Sequence, residues 1–468
     1  MKKLVLLIAV IALVAIPLFA QDDMMSPTVE VTEQVVLDGT VTVDYVFSPG
    51  PGFIVIHTDN NGAPGPVIGQ RLLSPGANYG VSVEIDAASA TPVLYAMLHE
   101  DTGEMGVYEF GAVEGADGPV IVDGAPVTPP FNVAVINAND QFLTDNTFMA
   151  ASVTVDAPGF LVIHADNNGA PGPVLGQTAI EAGTTADVAV ALEGDVTQTL
   201  WPMLHVDTGE AGVYEFGTVE GADGPVILNG RVATVQFWTV PHVRVNDQIV
   251  THGEGMEMME MAPTVMAKSV LSEGVGFLVI HADNNGAPGP VLGFAPVSAG
   301  LNTGVAVELD TEGLTPVLWP MLHVDTGVEG EYEFGTVEGA DGPVRVNDQV
   351  VTFPIDAAPS IVYNVTDGEG VVTVEQALID APGWLVIHID NNGAPGPVIG
   401  QAPLTPGLNT NIVISVDESM QTATVFPMLH YDTGEAGVYE FGSVEGADGP
   451  VRVAGAVVTG PAEVMAGE

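Results

Sequence analysis

The string NNGAPGPV occurs four times in this chain of 468 residues, always after His-x-Asp: IHTDNNGAPGPVIG from Ile56, IHADNNGAPGPVLG from Ile163 and again from Ile280, and IHIDNNGAPGPVIG from Ile387. A second string follows each copy, MLHEDTGEMGVYEFG from Met97, MLHVDTGEAGVYEFG from Met203, MLHVDTGVEGEYEFG from Met321 and MLHYDTGEAGVYEFG from Met428. A third, EGADGPV, closes each unit at Glu114, Glu220, Glu338 and Glu445. Repetition at this period confines the chain to copies of one structural unit. The leading histidines (57, 164, 281, 388) are 107, 117 and 107 residues apart, which is the length of a small domain and too long for one turn of a solenoid.

Inside a unit the apolar runs are short and turn residues separate them. In the second copy SVTVDAPG, GFLVIHAD, TADVAVALE, TLWPMLHVD and GVYEFGTV read as strands, punctuated by Asn-Gly, Pro-Gly, Thr-Gly and Asp-Gly pairs. No window carries a sustained helical period. Strands about every ten residues in a unit of about a hundred predict an all-β fold, four tandem immunoglobulin-like antiparallel β-sandwich domains. With no Cys pair, the strand order stays open. The units are expected at 29–128, 131–238, 240–354 and 360–460, joined by short linkers such as Thr128-Pro129-Pro130 and Ala358-Pro359. The ten extra residues of the third unit fall in a Met- and Glu-rich insertion, 251–268, which lacks a strand pattern and is expected as a loop.

Residues 1–20 set Lys2 and Lys3 before an apolar run from Leu4 to Phe19 and a small residue, Ala20. That is the pattern of a secretory signal peptide, and cleavage is expected after Ala20. A permanent anchor is the alternative, because the run is close to the minimum span length. On the cleaved reading the protein is secreted or extracytoplasmic, cell-surface associated, with no stable membrane anchor. The balance of 60 acidic against 8 basic residues gives a net charge of -52 and excludes a nucleic-acid binder, which needs a basic surface against phosphate. Cysteine is absent, which removes disulfides, thiolate metal sites and Cys nucleophiles.

The IHxDN, MLHxDT, YxF and DGP elements resemble a repeat domain of unknown function found in secreted and cell-surface proteins of archaea and bacteria, here in four tandem copies over nearly all of the chain after the leader. The resemblance implies a compact β-domain used in surface or exported proteins. It carries no chemistry with it.

Each unit offers His-x-Asp twice: His57, Asp59, His99 and Asp101; His164, Asp166, His205 and Asp207; His281, Asp283, His323 and Asp325; His388, Asp390, His430 and Asp432. Alternation along a strand puts His and Asp of one pair on the same face. If the two strands are neighbours, two imidazoles and two carboxylates converge as a ligand set for zinc, manganese or copper. The other reading is a hydrogen-bonded network that holds the following loop. The loop acids, in the second unit Asp207, Glu210, Glu215, Glu220 and Asp223, are calcium ligands by type, or turn builders. Met256, Met258, Met259, Met261 and Met266 with His252 gather soft donors suited to copper, or simply fill a flexible acidic loop. No phosphate loop, nucleophile elbow or HExxH helix occurs, and near-identical tandem sites favour multivalency over catalysis. The expectation is a secreted, acidic, non-catalytic structural or interaction protein of the cell surface or extracellular matrix, with self-association or cell-envelope or matrix partners. The alternative is an extracytoplasmic metal-binding protein, with calcium in the acidic loops or a transition metal at the His-x-Asp pairs.

Overall fold

The computed structural model describes residues 26–36, 39–253, 263–368 and 370–466. Residues 1–20, read above as a signal peptide, and Met256, Met258, Met259 and Met261 of the insertion lie outside the described residues. The described chain is all-β, and no helix in it is long and apolar enough to cross a membrane.

The first unit runs β1 (Thr28–Glu30), β2 (Gln34–Val36), β3 (Thr40–Ser48), β4 (Gly52–Asp59), β5 (Pro64–Leu73), β6 (Gly76–Glu84), β7 (Val93–Glu100), the small hairpin β8 (Ile121–Val122) and β9 (Ala125–Pro126), and β10 (Pro130–Asn137). One sheet has the order β1-β3-β6. The other has the order β5-β4-β7-β10, and β2 joins its β10 edge in parallel. The opening strand is thus split between two antiparallel sheets, which is the immunoglobulin-like arrangement. The pattern recurs in every unit. In the second, Thr147–Val155 and Gly183–Ala191 form one sheet with the end of β10, and Pro171–Ile180, Gly159–Asp166, Thr199–Val206 and Phe237–Trp238 form the other.

Alternate residues of the facing sheets meet in the core. In the first unit Val41, Val43 and Val83 from one sheet pack against Ile54, Ile56, Leu94 and Leu98 from the other, all fully buried. Each such side chain contributes about 1.5–3 kcal/mol of hydrophobic stabilisation. The NNG turns fold as their residues require: Asn61 and Gly62 both take positive φ, 57° and 84°, and the Asn60 N–H donates to the Ala63 carbonyl at 2.7 Å.

Three segments differ from the sequence expectation. Pro130, read as linker, opens β10, whose first residues pair with β7 of the first unit and whose last pair with Thr147–Val155 of the second. Thr264–Lys268, read as part of the insertion loop, begins the strand Thr264–Ser272. GVYEFGTV, read as a strand, is a loop in all four units.

The junctions between units use buried carboxylates. Arg244 clasps Asp140 through Nε and one terminal nitrogen, each at 2.7 Å, and Asp140 is 1% exposed. Between the third and fourth units Asp380 accepts from the Gly253 N–H at 2.8 Å and from Tyr431 Oη at 3.0 Å. The first and fourth units also touch: Arg71 donates to the Pro406 and Leu408 carbonyls, and Ser82 Oγ meets Thr410 Oγ1 at 2.9 Å.

Candidate functional site

The outer face of the β5-β4-β7-β10 sheet would ordinarily be solvated. Here it is roofed. On that face β4 carries Phe53, Val55 and His57, and β7 carries Tyr95, Met97 and His99, paired Phe53 with His99, Val55 with Met97 and His57 with Tyr95. All six are buried: the chain after β7 folds back so that Tyr108 and Phe110 lie against Phe53 and His99, while His57 and Tyr95 bond to Gly65 and Asp59. The continuous apolar run GFIVIH is therefore a strand buried on both faces rather than one with a wet side.

Asp117 holds the roof. It is 0% exposed and sits at φ 48°, a conformation Asp tolerates better than most residues. Its Oδ1 accepts from the Thr102 N–H at 2.8 Å, its Oδ2 from the Glu109 N–H at 2.5 Å, and its own N–H donates to Thr102 Oγ1 at 2.8 Å. Asp223, Asp341 and Asp448 repeat these bonds. These carboxylates satisfy backbone donors that a strand would have paired, which is why GVYEFG stays a loop. Glu109 in turn accepts from the Glu104 N–H at 2.8 Å. Gly103 packs against that carboxylate at φ 102°, and a Cβ there would run into it.

Beneath the roof the two histidines of each unit come together. Ring centres are 6.0 Å apart for His57 and His99, 5.8 Å for His164 and His205, 5.7 Å for His281 and His323, and 6.0 Å for His388 and His430. His57 Nδ1 donates to the Gly65 carbonyl at 2.8 Å, and His99 Nδ1 to the Asp117 carbonyl at 2.7 Å. The other three units repeat both bonds at 2.6–2.8 Å. A carbonyl oxygen only accepts, so Nδ1 carries the hydrogen and Nε2 of the neutral ring is a bare lone pair. All eight Nε2 atoms are buried with no hydrogen-bond partner.

Burial pulls the imidazoles of His99, His205, His323 and His430 below the usual value, the last two to about 4, against the opposing pull of the carbonyl each donates to. Burial also lowers His281 and His388. Burial, with the nearby Asp117 or Asp223 charge, lifts the Tyr108 and Tyr214 phenols to about 12. Phe110 stands edge-on to His99 at 5.0 Å and is itself 45% exposed, so it forms the outer wall of the chamber.

The carboxylates of the His-x-Asp pairs go elsewhere. Asp59 accepts from the Gly62 N–H at 2.9 Å and Tyr95 Oη at 3.1 Å; Asp166 and Asp283 take Trp201 Nε1 at 2.8 Å and Trp319 Nε1 at 2.9 Å, and Asp390 takes the Gly393 N–H at 2.7 Å. Asp101, Asp207, Asp325 and Asp432 each accept a loop glycine N–H at 2.8 Å. The structure thus unites the imidazoles and assigns the carboxylates to turns. In the acidic loop of the second unit, Asp207, Glu215 and Asp223 likewise cap backbone N–H groups, and Glu210 and Glu220 are exposed. Among the described residues no three His, Cys, Asp or Glu side chains are grouped to hold a metal. His252 lies 3.3 Å from Asp380, and Met266 is on the strand Thr264–Ser272. Sequence reading missed Met97, and it named Asp223, the counterpart of Asp117, as a calcium ligand or turn builder rather than as the residue that holds the roof. Met97 could have been found from its place two residues before His99, on the same face of the strand.

Comparison with known proteins returns no match among curated proteins. Among solved structures, E. coli alpha-2-macroglobulin, seen by cryo-electron microscopy in its native conformation, matches at 9% identity with a TM-score of 0.17. The match covers 93% of this chain and 29% of the macroglobulin, and at that score it supports no conclusion. One family model matches four times in tandem, at residues 27–134, 134–238, 256–357 and 359–465. The chain belongs to the family described as Domain of unknown function (DUF7282), of which it carries four copies.

Proposed function

We propose that this is an exported, acidic, non-catalytic structural or interaction protein of the cell surface or extracellular matrix. The observation that carries the reading is an identical exposed feature in every unit. The roof presents Phe110 and Val113, Phe216 and Val219, Phe334 and Val337, and Phe441 and Val444, all 39–47% exposed. An exposed glutamate follows each valine: Glu114, Glu220, Glu338 and Glu445. Apolar side chains with an acidic rim suit a partner of the opposite charge. The buried Asp117 bonds fix the loop before binding, so little ordering cost remains. Four such patches on one chain raise overall affinity through avidity. The leader pattern supports an address outside the cell, and the scarcity of basic residues argues against a nucleic-acid partner.

The test is binding of the full chain, freed of its leader, to envelope fragments of the cells that produce it. Replacing Phe110, Phe216, Phe334 and Phe441 by Ser one after another is expected to weaken binding stepwise. Undiminished binding by the fourfold variant, or a protein retained in the cytoplasm with an uncut leader, would overturn the reading.

A further inference from the structure

The chamber beneath each roof holds more than two histidines. Met97 lies directly opposite Val55 in register, on the face that carries His57 and His99, and between those two positions along the sheet. Met203, Met321 and Met428 occupy the same register, and all four methionines are 7–8% exposed. Each chamber therefore combines one thioether with two imidazoles whose Nε2 lone pairs have no partner. Unpartnered buried polar atoms are uncommon, and eight in equivalent places require a physical reason.

We propose that each unit binds one soft monovalent cation of the cuprous class, held by the two Nε2 atoms and the methionine sulfur between them. The donor set fits that class. Thioether and imidazole together select copper(I), whereas zinc in a structural site takes four ligands and calcium takes oxygen. No carboxylate joins the imidazoles to complete a harder site, because among the described residues no three His, Cys, Asp or Glu side chains are grouped; Asp101 gives Oδ2 to the Gly106 N–H, and its Oδ1 is buried outside any such group. An ion joined head-on to two imidazole nitrogens at about 2 Å holds the ring centres about 6 Å apart. The four observed separations are 5.7–6.0 Å. The Nδ1–H bonds to backbone carbonyls supply the outer-shell support typical of a ligating imidazole, fixing its tautomer and orientation. Phe110 and its equivalents stand over the second histidine and shield the ion from water.

The full chain, freed of metal, is titrated anaerobically with copper(I) against a chromogenic cuprous chelator, and the loaded protein is examined by X-ray absorption. Four ions retained per chain, each with two imidazole nitrogens and one sulfur, are expected. His205→Gln should lower the stoichiometry to three. Met203→Leu conserves volume and keeps the second unit folded; it should weaken one of the four ions at least tenfold and reduce the sulfur signal by a quarter. Three results would overturn the proposal. One is no copper retained, as when a buried water donates to both Nε2 atoms instead. Another is stoichiometry and affinity unchanged in both variants. The third is sulfur-only coordination lost on replacing Met256, Met258, Met259 and Met261 by Leu.

Discussion

Changing Asp223 to Asn probes the roof with little change of shape. Asn tolerates the φ of 49° found there, so the backbone turn survives. What changes is the acceptor count. The carboxylate takes the Thr208 N–H on Oδ1 at 2.8 Å and the Glu215 N–H on Oδ2 at 2.5 Å. An amide has one oxygen, so its NH2 group must face one of these donors. Losing a charge-assisted hydrogen bond costs about 1.5–3 kcal/mol, and leaving a partly buried N–H unmet adds at most about 1 kcal/mol. A total of about 3 kcal/mol corresponds to a roughly hundredfold rise in the opening equilibrium of the loop. Amide hydrogen exchange on the full chain reads this directly, with the other three loops as internal controls. Residues 207–224 should exchange about a hundredfold faster, while the strand Gly159–Asp166 keeps most of its protection. A change below threefold would refute the assignment of Asp223 as the residue that holds the roof.

The low imidazole values of His323 and His430, about 4 against 6.5 for the free group, mean that the unfolded chain binds protons which the folded chain refuses. Their contribution is complete above about pH 6.5 and is lost as the pH falls toward 4; the urea midpoint should be lower at pH 5 than at pH 7, and His323→Gln with His430→Gln should reduce that difference. Arg244→Met leaves Asp140 buried without its cation, at a cost of about 3 kcal/mol, and limited proteolysis should then cut faster between Trp238 and His242; an unchanged rate would contradict the role of the pair. Gly209→Ala, at φ 102° and against the Glu215 carboxylate, should displace that carboxylate from the Glu210 N–H and destabilise the loop by about 1–3 kcal/mol, measured by the same exchange experiment.

The repeat, the β class and the NNG turns were legible because their causes are local. Asn61 and Gly62 take positive φ wherever the chain goes next. The shared strand β10 was not legible. Pro129-Pro130 looks like a linker from sequence, and only non-local pairing, of Phe131 with Leu94 and of Ile136 with Val153, makes Pro130–Asn137 a strand. The roof was missed for a related reason. GVYEFGTV has strand-like composition, but its Gly212 and Glu215 N–H groups are met by the carboxylates of Asp207 and Asp223, residues whose partners cannot be inferred from spacing. The His-x-Asp pattern placed every one of these histidines correctly on a strand and failed on the carboxylates, of which Asp101, Asp207, Asp325 and Asp432 lie one residue past the strand end. Asp166 is drawn to Trp201, 35 residues away, rather than to the ion site its spacing suggests.

Eight histidines keep the hydrogen on Nδ1 and turn a bare Nε2 inward, and both the chamber and its ion site depend on that tautomer. Long-range proton–nitrogen NMR of the metal-free chain at pH 7 distinguishes the two tautomers of each ring by nitrogen shift. Eight of the ten histidines are expected to show a protonated Nδ1 and a lone-pair Nε2, with His242 and His252 outside that group. Rings protonated at Nε2 would contradict both the carbonyl bonds that hold the chamber and the ion site proposed within it.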